Sequence, residues 1–268
     1  MQSGSEDIRS DAVPSERAEA LGERERASGD AGVARKPSSG EAAAEGEGSS
    51  RDAAALATDP ALSYVPRTFY ERHGKRMVDC CVAAIGLILT SPIFLLVAFA
   101  IRIESTGSPF YLSTRLGRGA RPFRFIKFRT MVVGADRMKD QLQHLNEMDG
   151  PVFKIRRDPR MTHMGRFLRR TSLDELPQLI HVLRGEMSLV GPRPPIPEEV
   201  AQYEPWQRRR LSVTPGITCL WQVSGRNKIS FSEWMQMDME YVDGIGWKMD
   251  LKVLLLTIPA VLRGVGAS

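Results

Sequence analysis

The longest apolar stretch of the chain runs from Cys80 to Ile101 and contains 22 residues without a charge. At about 1.5 Å per residue, a helix of this length can cross the hydrocarbon core of a bilayer. Ser91 and Pro92 lie near its midpoint, where proline removes a backbone donor and kinks or breaks a helix. In lipid the freed carbonyl needs another donor, and the Ser91 hydroxyl is well placed to be one. We therefore predict two helical halves with Ser91 and Pro92 at the break between them.

Both ends of this stretch are basic, with three residues before it and three after it: Arg72, Lys75, Arg76, Arg102, Arg115 and Arg118. Because lysine and arginine favour the cytoplasmic side of a membrane, this distribution keeps both ends on that side. A re-entrant hairpin over residues 70–104, which enters the membrane and returns, satisfies both observations. A kinked single span and a buried core helix remain open as alternatives from the residues alone.

The pattern after residue 105 is that of a small soluble domain, which we place at 105–262. GSPFYLSTRLGRGARPFRFIKFRTM predicts two short strands around a glycine-rich turn. Residues 134–149 and two stretches within 159–190 have helical spacing, whereas consecutive prolines exclude a helix at 191–197. The last apolar run, 250–262, is too short to span a membrane and is expected to lie at the membrane interface or in the core.

Residues 1–60 form a separate acidic segment with 13 acids, 7 bases and no aromatic residue. Such a composition cannot bury enough apolar surface to offset the entropy of ordering, so we predict a disordered tail. Its first residues have no apolar core and therefore do not form a signal peptide.

The rest of the chain has 30 bases and 19 acids, which predicts an anionic partner: nucleic acid, an anionic membrane surface or a phosphorylated substrate. Three cysteines cannot form a disulfide framework, and the four histidines lack the spacing of a metal site. Composition thus argues against a disulfide scaffold and against metal chemistry through histidine or cysteine.

Two adjacent acids, Asp174 and Glu175, stand at the start of a helical pattern in RRTSLDELPQLIH. Acids in a first turn are usually only caps, worth roughly 0.3–1 kcal/mol each, and Ser172-x-x-Glu175 also has the form of a capping box. Pro177 favours Asp174 as the N-cap with Glu175 as the first helical residue. The buried stripe would then consist of four apolar residues: Leu176, Leu179, Ile180 and Leu183.

The bases around the pair favour a chemical role for it. They lie in three nearby motifs, at Lys127 and Arg129, at Arg166, Arg169 and Arg170, and at Arg193. A helix start surrounded by arginines suits phosphate. A carboxylate repels phosphate unless a divalent cation bridges them, and adjacent acids with Mg²⁺ would supply that bridge. Carboxylates can also accept a phosphoryl group.

Six motifs in this order resemble one family: KRMVD, SP within the apolar stretch, FIKFRTM, DPRMTHMGRFLRRTSLDELPQL, MSLVGPRP and TPGITCLWQVSGRN. The chain is similar over residues 70–262 to the bacterial sugar transferases, the monotopic phosphoglycosyl transferases that prime glycan assembly on a polyprenol carrier. The resemblance implies an α+β, mainly helical fold: a re-entrant helix-break-helix hairpin packed on a small cytoplasmic α/β domain with amphipathic interfacial helices.

The resemblance also implies roles for single residues. Asp174 would attack the β-phosphate of a UDP-sugar, release UMP and carry the sugar phosphate until polyprenol (undecaprenyl) phosphate accepts it. Glu175 would bind Mg²⁺ and help to position the acceptor. Lys127, Arg169 and Arg193 match the basic residues around the phosphates. Ser91 and Pro92 match the membrane helix break, which makes the re-entrant hairpin the favoured alternative.

The family further implies an inner-membrane enzyme of exopolysaccharide synthesis with its catalytic domain on the cytoplasmic face. Membrane lipids are expected partners and nucleic acid is not; downstream glycosyltransferases and a second copy of the chain stay open. Larger members carry transmembrane helices before this domain, whereas here an acidic tail precedes it, which is typical of the small members. WQVSGRN favours UDP-glucose or UDP-galactose as the donor, and Cys219 stands where the family commonly has glycine.

Three rival functions remain at this point. A glycosyltransferase would move the sugar alone and release UDP rather than UMP. A membrane-anchored basic module would bind anionic lipid or nucleic acid with strong salt dependence and without any role for Asp174. A scaffold would recruit other glycan-assembly enzymes and could coexist with catalysis.

Overall fold

A computed structural model describes residues 62–225 and 229–262 of the chain. The predicted tail, 1–60, and the Arg226-Asn227 end of the WQVSGRN motif lie outside these residues. Within them the protein is mainly helical with two small two-stranded sheets, which confirms the predicted α+β class.

The apolar stretch forms a single helix, α1 (Lys75–Glu104), which follows a π-helical turn, Tyr70–Gly74. Pro92 lies inside α1, so the prediction of two helices separated by a break is corrected to one helix with an internal proline. The physical reason is local: Pro92 has no N–H for the Ile88 carbonyl, and the Ser91 hydroxyl donates to that carbonyl instead at 2.9 Å. The predicted partner of the freed carbonyl is thus confirmed.

Most of the surface of α1 is exposed and apolar, with Ile88, Leu89, Leu95 and Leu96 each more than two thirds accessible. In the described part of the chain, the helical run Tyr70–Glu104 is the one helix long and apolar enough to cross a membrane. Only 11% of its most apolar 18-residue segment is buried. A core helix of a soluble protein would be mostly buried, so the buried-core alternative is wrong.

Both ends of α1 are fastened to the same soluble domain. At its start, Asp79 accepts the Leu189 N–H at 3.0 Å, and Lys75 forms an ion pair with Asp250 at 2.7 Å. At its end, the carboxylate of Glu104 accepts the backbone N–H groups that open the next helix, at 2.6 and 2.9 Å. The same folded body therefore holds the helix before and after its apolar centre.

The predicted hairpin is confirmed as the antiparallel strands β1 (Phe110–Leu116) and β2 (Pro122–Phe128). Their register pairs Tyr111 with Lys127 and Arg115 with Phe123. The turn uses Gly119 at φ 66°, a conformation that residues with a Cβ rarely adopt. Because side chains alternate along a strand, one face of the sheet carries Tyr111, Arg115 and Lys127 together.

The two predicted helices within 159–190 are α2 (His163–Thr171) and α3 (Leu179–Arg184), joined by a 3₁₀ segment, Leu173–Gln178. Asp174 lies inside this segment, so its prediction as an N-cap is wrong. The Ser172 side chain makes no capping bond either, because Ser172 adopts the left-handed conformation that ends α2. Pro177 is tolerated in this segment because a 3₁₀ helix is short, so the missing N–H of proline removes few hydrogen bonds.

The predicted stripe of four apolar residues is also wrong, since none of them is buried. The buried side is instead Asp174, Pro177, Gln178, His181 and Val182. These positions keep helical spacing, but the 3₁₀ segment rotates them towards β2. Leu183 is exposed, whereas Leu179 is partly buried and packs at the edge of the core. The helical side that faces the protein interior is therefore largely polar.

The remaining strands and helices complete the described part of the fold. β3 (Ser188–Val190) and β4 (Gly216–Thr218) pair in parallel, and the predicted helix at 134–149 is two 3₁₀ turns instead. The other helices are α4 (Pro197–Val200), α5 (Pro205–Arg208), α6 (Leu220–Ser224), α7 (Phe231–Asp243) and α8 (Trp247–Leu262).

The C-terminal helix α8 is amphipathic in its burial. Asp250 and Val253 are buried, whereas the outer side exposes Trp247, Leu255, Ile258 and Leu262. The expectation that 250–262 packs in the core is met on one side of the helix. The other side presents apolar side chains, and its place at a membrane interface stays a prediction.

Candidate active site

Asp174 is the centre of the candidate site. Its side chain is 7% exposed and lies in the 3₁₀ segment packed against β2. Burial raises the pKa of its carboxyl above the usual value, and the positive charges of Lys127, Arg169 and Arg193 oppose that rise. The structure thus brings the three basic residues that the sequence analysis selected around one buried carboxylate.

Lys127 extends from the face of β2 that meets this segment, with its ammonium 5.1 Å from the centre of the Tyr111 ring. Burial and the neighbouring charge of Arg169 lower the pKa of Lys127 to about 7, and Asp174 acts in the opposite direction. An ammonium held beside other cations in this way gains from any anion that enters the site.

Arg169 lies in the last turn of α2, and its Nε donates to the Thr130 hydroxyl at 3.2 Å. Gly165 allows this approach, because a Cβ there would lie 1.9 Å from the Thr130 carbonyl oxygen. Burial lowers the pKa of Arg169 and Asp174 raises it; a guanidinium nevertheless stays charged at neutral pH. Arg166 and Arg170 of the same helix are exposed and lie outside the site.

Arg193 belongs to the proline-rich loop after β3, which the backbone holds in place. Gly191 donates to the Thr218 carbonyl at 3.0 Å, and Gly216 donates to the Pro192 carbonyl at 2.9 Å. The Arg193 carbonyl itself accepts from Arg210 at 2.9 Å.

Arg210 is a residue that the sequence analysis missed. It is 2% exposed, forms an ion pair with Asp238 at 2.7 Å and donates to the Tyr203 hydroxyl at 2.7 Å. Burial raises the pKa of Asp238 to about 6, and Arg210 opposes the rise. Such a pair, enclosed by Tyr203 and Trp234, anchors the loop of Arg193 from inside the protein. Only the tertiary contact distinguishes Arg210 from the partly exposed arginines next to it, Arg208 and Arg209.

Arg115 is a second missed residue. It shares its sheet face with Lys127, donates to the Pro194 carbonyl at 3.0 Å and lies 5.4 Å from the centre of the Phe125 ring. Burial lowers the pKa of Arg115, and so does the charge of Arg193. The alternation of β1 could have found it, since Arg115 and Tyr111 occupy equivalent positions of one strand face.

Glu175 is partly exposed and follows Asp174 directly in the 3₁₀ segment. No cluster of three potential metal ligands occurs among residues 62–225 and 229–262. Mg²⁺ at phosphate sites is nevertheless held by one or two carboxylates, with substrate phosphates and water completing its shell. Glu175 is the accessible carboxylate beside Asp174, and its role as a ligand of Mg²⁺ stays a prediction.

The charges of the site are unbalanced in a way that predicts an anionic ligand. The positive charges of four residues act on one another: Lys127, Arg169, Arg193 and Arg115. Asp174 opposes the charges of Lys127 and Arg169, Asp158 also acts on Arg169, and Glu199 acts on Arg115. Like charges in a partly buried site repel one another strongly. A bound diphosphate would offset this repulsion between the cations by forming charge-assisted hydrogen bonds with them. A buried carboxylate among cations, next to an exposed apolar helix, suits an enzyme that acts on phosphates at a membrane.

Comparison with known proteins identifies the family. Residues 70–264 match the family model of the bacterial sugar transferases, so the chain belongs to this family, as its motifs predicted.

Several relatives are similar over most of the chain. The galactosyl transferase CpsE of Streptococcus agalactiae is 45% identical over 209 residues, which cover 77% of this chain and 46% of CpsE. The exopolysaccharide production protein ExoY of Rhizobium meliloti is 39% identical over 72% of this chain and 87% of its own length. The UDP-glucose:undecaprenyl-phosphate glucose-1-phosphate transferase of Caulobacter vibrioides is 40% identical over 70% of this chain and 69% of its own. The chain spans less than half of CpsE.

Proposed function

We propose that the protein transfers a hexose 1-phosphate from a UDP-sugar to polyprenol phosphate, releases UMP and so primes exopolysaccharide or other glycan assembly. The observation that carries the proposal is the buried carboxylate of Asp174, placed among cations that favour a diphosphate. A helix cap needs no such surroundings, and exposed acids at helix starts are satisfied by the helix alone.

In the first step an oxygen of Asp174 attacks the β-phosphorus of the UDP-sugar. A new P–O bond forms to the carboxylate, the bond from the β-phosphorus to the bridging oxygen breaks, and UMP leaves with that oxygen. Lys127, Arg169, Arg193 and Arg115 stabilise the charge on the phosphoryl oxygens, which is the main contribution a protein makes to phosphoryl transfer. When bound, Mg²⁺ would neutralise part of the diphosphate charge.

In the second step a phosphate oxygen of the polyprenol carrier attacks the same phosphorus. The P–O bond to the aspartyl oxygen breaks, the product is a polyprenyl diphosphate sugar, and Asp174 recovers its carboxylate. Glu175 would hold Mg²⁺ and position the acceptor phosphate. Splitting the reaction in two means that a soluble donor and a lipid acceptor need not be bound together.

The relatives support the type of donor. One is named for UDP-glucose and undecaprenyl phosphate, and another is named a galactosyl transferase. We propose UDP-glucose or UDP-galactose as the donor and undecaprenyl phosphate as the acceptor for this chain.

Release of UMP tests the proposed function. Protein in nanodiscs is incubated with Mg²⁺, undecaprenyl phosphate and, separately, UDP-glucose, UDP-galactose or UDP-N-acetylglucosamine, and the nucleotides are separated by chromatography. We expect UMP with one of the two hexose donors, together with a lipid diphosphate sugar. UDP as the product would instead support a glycosyltransferase. Absence of any nucleotide product from folded protein would support the scaffold or the basic module.

We also propose that α1 bends at its internal Pro92, so that it enters the membrane from the cytoplasmic face and returns to it. The soluble domain holds Asp79 and Glu104 near opposite ends of the helix, so a span would place parts of one folded domain on both sides of the bilayer. The apolar side of α8 would rest on the same leaflet.

Cysteine labelling tests this topology. In a variant without the native cysteines, Val65→Cys and Thr106→Cys introduce single thiols at exposed positions on either side of α1. We expect an impermeant maleimide to label both thiols in inverted membrane vesicles and neither in intact spheroplasts. Labelling of one thiol from each side would show a span and overturn the re-entrant arrangement.

A further inference from the structure

His181 is a buried polar residue that the proposed reaction does not use. It lies in α3, and its side chain is 1% exposed. α3 continues directly from the 3₁₀ segment that carries Asp174, so the two side chains belong to one uninterrupted helical stretch. Both are on the buried side of that stretch.

The imidazole of His181 is attached to β2 at three points. Its Nε2 accepts the backbone N–H of Ile126 at 3.0 Å. The ring stacks on Phe125, with centres 6.0 Å apart and planes 7° apart, and meets Phe123 edge-on at 5.3 Å. Among the residues that the structure describes, β2 pairs with β1 alone, so its other edge is open. His181 accepts a hydrogen bond from the Ile126 N–H, which the two-stranded sheet leaves unpaired.

The hydrogen bonds determine the form of the ring. Because the Ile126 N–H donates to Nε2, that nitrogen carries no proton, and the proton is on Nδ1. Nδ1 lies 2.6 Å from the Glu186 carboxylate, which accepts that proton's hydrogen bond. Donor and acceptor of the neutral imidazole are thus both used, and the ring orientation is determined by its partners.

These contacts connect the two charged residues at the centre of the site. Phe123, Phe125 and Lys127 alternate along β2 and therefore share one face. His181 packs on the two phenylalanines, and the segment that carries Asp174 packs on the same strand. The imidazole therefore sets how the helical stretch lies along β2, and with it the placement of Asp174 relative to Lys127.

We propose that His181 is a positioning residue, which holds the strand of Lys127 and the segment of Asp174 in the relative placement that phosphoryl transfer needs. The inference rests on the proposed function. Misplacement of reacting groups by about 1 Å can cost about 10²-fold in rate, so loss of this connection is expected to lower kcat.

The test compares two variants of equal side-chain length. His181→Gln keeps an oxygen that can accept the Ile126 N–H, whereas His181→Met cannot accept it effectively. We expect Met to lower kcat for UMP release by about 10²-fold with little change in KM for the UDP-sugar, and Gln to recover most of the loss. His144→Met, at an exposed position, is the control and is expected to leave kcat unchanged. Equal kcat for the Gln and Met variants, measured per folded protein, would overturn the proposal.

A second measurement does not depend on catalysis. Acylation of Lys127 is followed against pH by mass spectrometry, since only the neutral amine reacts. In His181→Met we expect the titration of Lys127 to move to higher pH, because the amine becomes less buried and moves away from Arg169. We also expect faster hydrogen exchange at Ile126. An unchanged titration would contradict the positioning role. If the wild type forms no UMP but these shifts occur, the proposed function fails while the structural connection stands.

Discussion

Asp174→Asn is expected to abolish UMP release, with a loss of about 10⁴-fold or more in kcat. The amide keeps the size of the side chain but lacks the anionic oxygen that attacks phosphorus. The substitution removes the negative charge that Asp174 places among the cations of the site. We therefore expect the variant to be as stable as the wild type at neutral pH only when another anion is bound near those cations. Phosphate is therefore included in the thermal unfolding measurements for both proteins.

The covalent intermediate gives a direct readout of the same prediction. Wild-type protein incubated with donor but without polyprenol phosphate is expected to gain the mass of a hexose phosphate at Asp174, and Asp174→Asn is expected to gain none. Asp140→Asn, at an exposed position, is the matched control and should behave as the wild type. Full UMP release by the Asp174 variant would exclude this carboxylate as the nucleophile.

Lys127→Met is expected to lower kcat/KM for the UDP-sugar by about 10²–10³-fold, the usual effect of removing one group that stabilises transition-state charge. Lys127→Arg keeps a positive charge and should lose less, although the larger guanidinium cannot take the same place beside Arg169. Steady-state kinetics of both variants against the wild type measure the difference. An exposed lysine offers the control: Lys252→Met, on α8, should change kcat/KM little.

The pH dependence of kcat/KM follows from the ammonium of Lys127. Its pKa of about 7 means that Lys127 is charged below pH 7 and loses its charge as pH rises through that value. Since kcat/KM reports the free enzyme, we expect it to fall above about pH 7 in the wild type. The fall should be absent in Lys127→Arg, because arginine stays protonated. A fall of equal size at the same pH in both proteins would assign it to another group.

The stability of the folded protein should rise with pH, whereas kcat/KM should fall. The pKa of Lys127 is lower in the folded protein than the ordinary value of 10.5, so between these two values the unfolded chain binds the extra proton. Stability therefore rises with pH across this window, and the charged form destabilises the fold below it. Lys127→Met removes this cost, so we expect a higher Tm at pH 7 and a weaker dependence of Tm on pH.

Long motifs and strong periodicity made much of the fold predictable. Local sequence patterns determine three parts of the fold: the apolar run of α1, the hairpin β1–β2 and the two helices around the acid pair. The Ser91 hydroxyl could be matched to the carbonyl freed by Pro92 because both belong to one helical turn. Interactions within a few residues are visible in the sequence.

The burial of the helical stretch after Asp174 was not predictable in the same way. Apolar spacing selected the leucines, whereas the structure buries Asp174 and His181 against β2. Their partners, Lys127 and Ile126, are about 50 residues away along the chain. A polar side chain becomes buried when a distant segment satisfies it, and periodicity contains no information about that segment.

By itself, the sequence determined the class of fold, the apolar helix and its local satisfaction at Pro92, and the family with its acid pair and three basic residues. Only the tertiary structure decided that α1 is continuous and held at both ends by one domain, that Arg115 and Arg210 join the site, and that His181 connects Asp174 to the strand of Lys127. The reason is physical: backbone and side-chain patterns act over a few residues, whereas burial and electrostatic coupling depend on groups that meet only after folding.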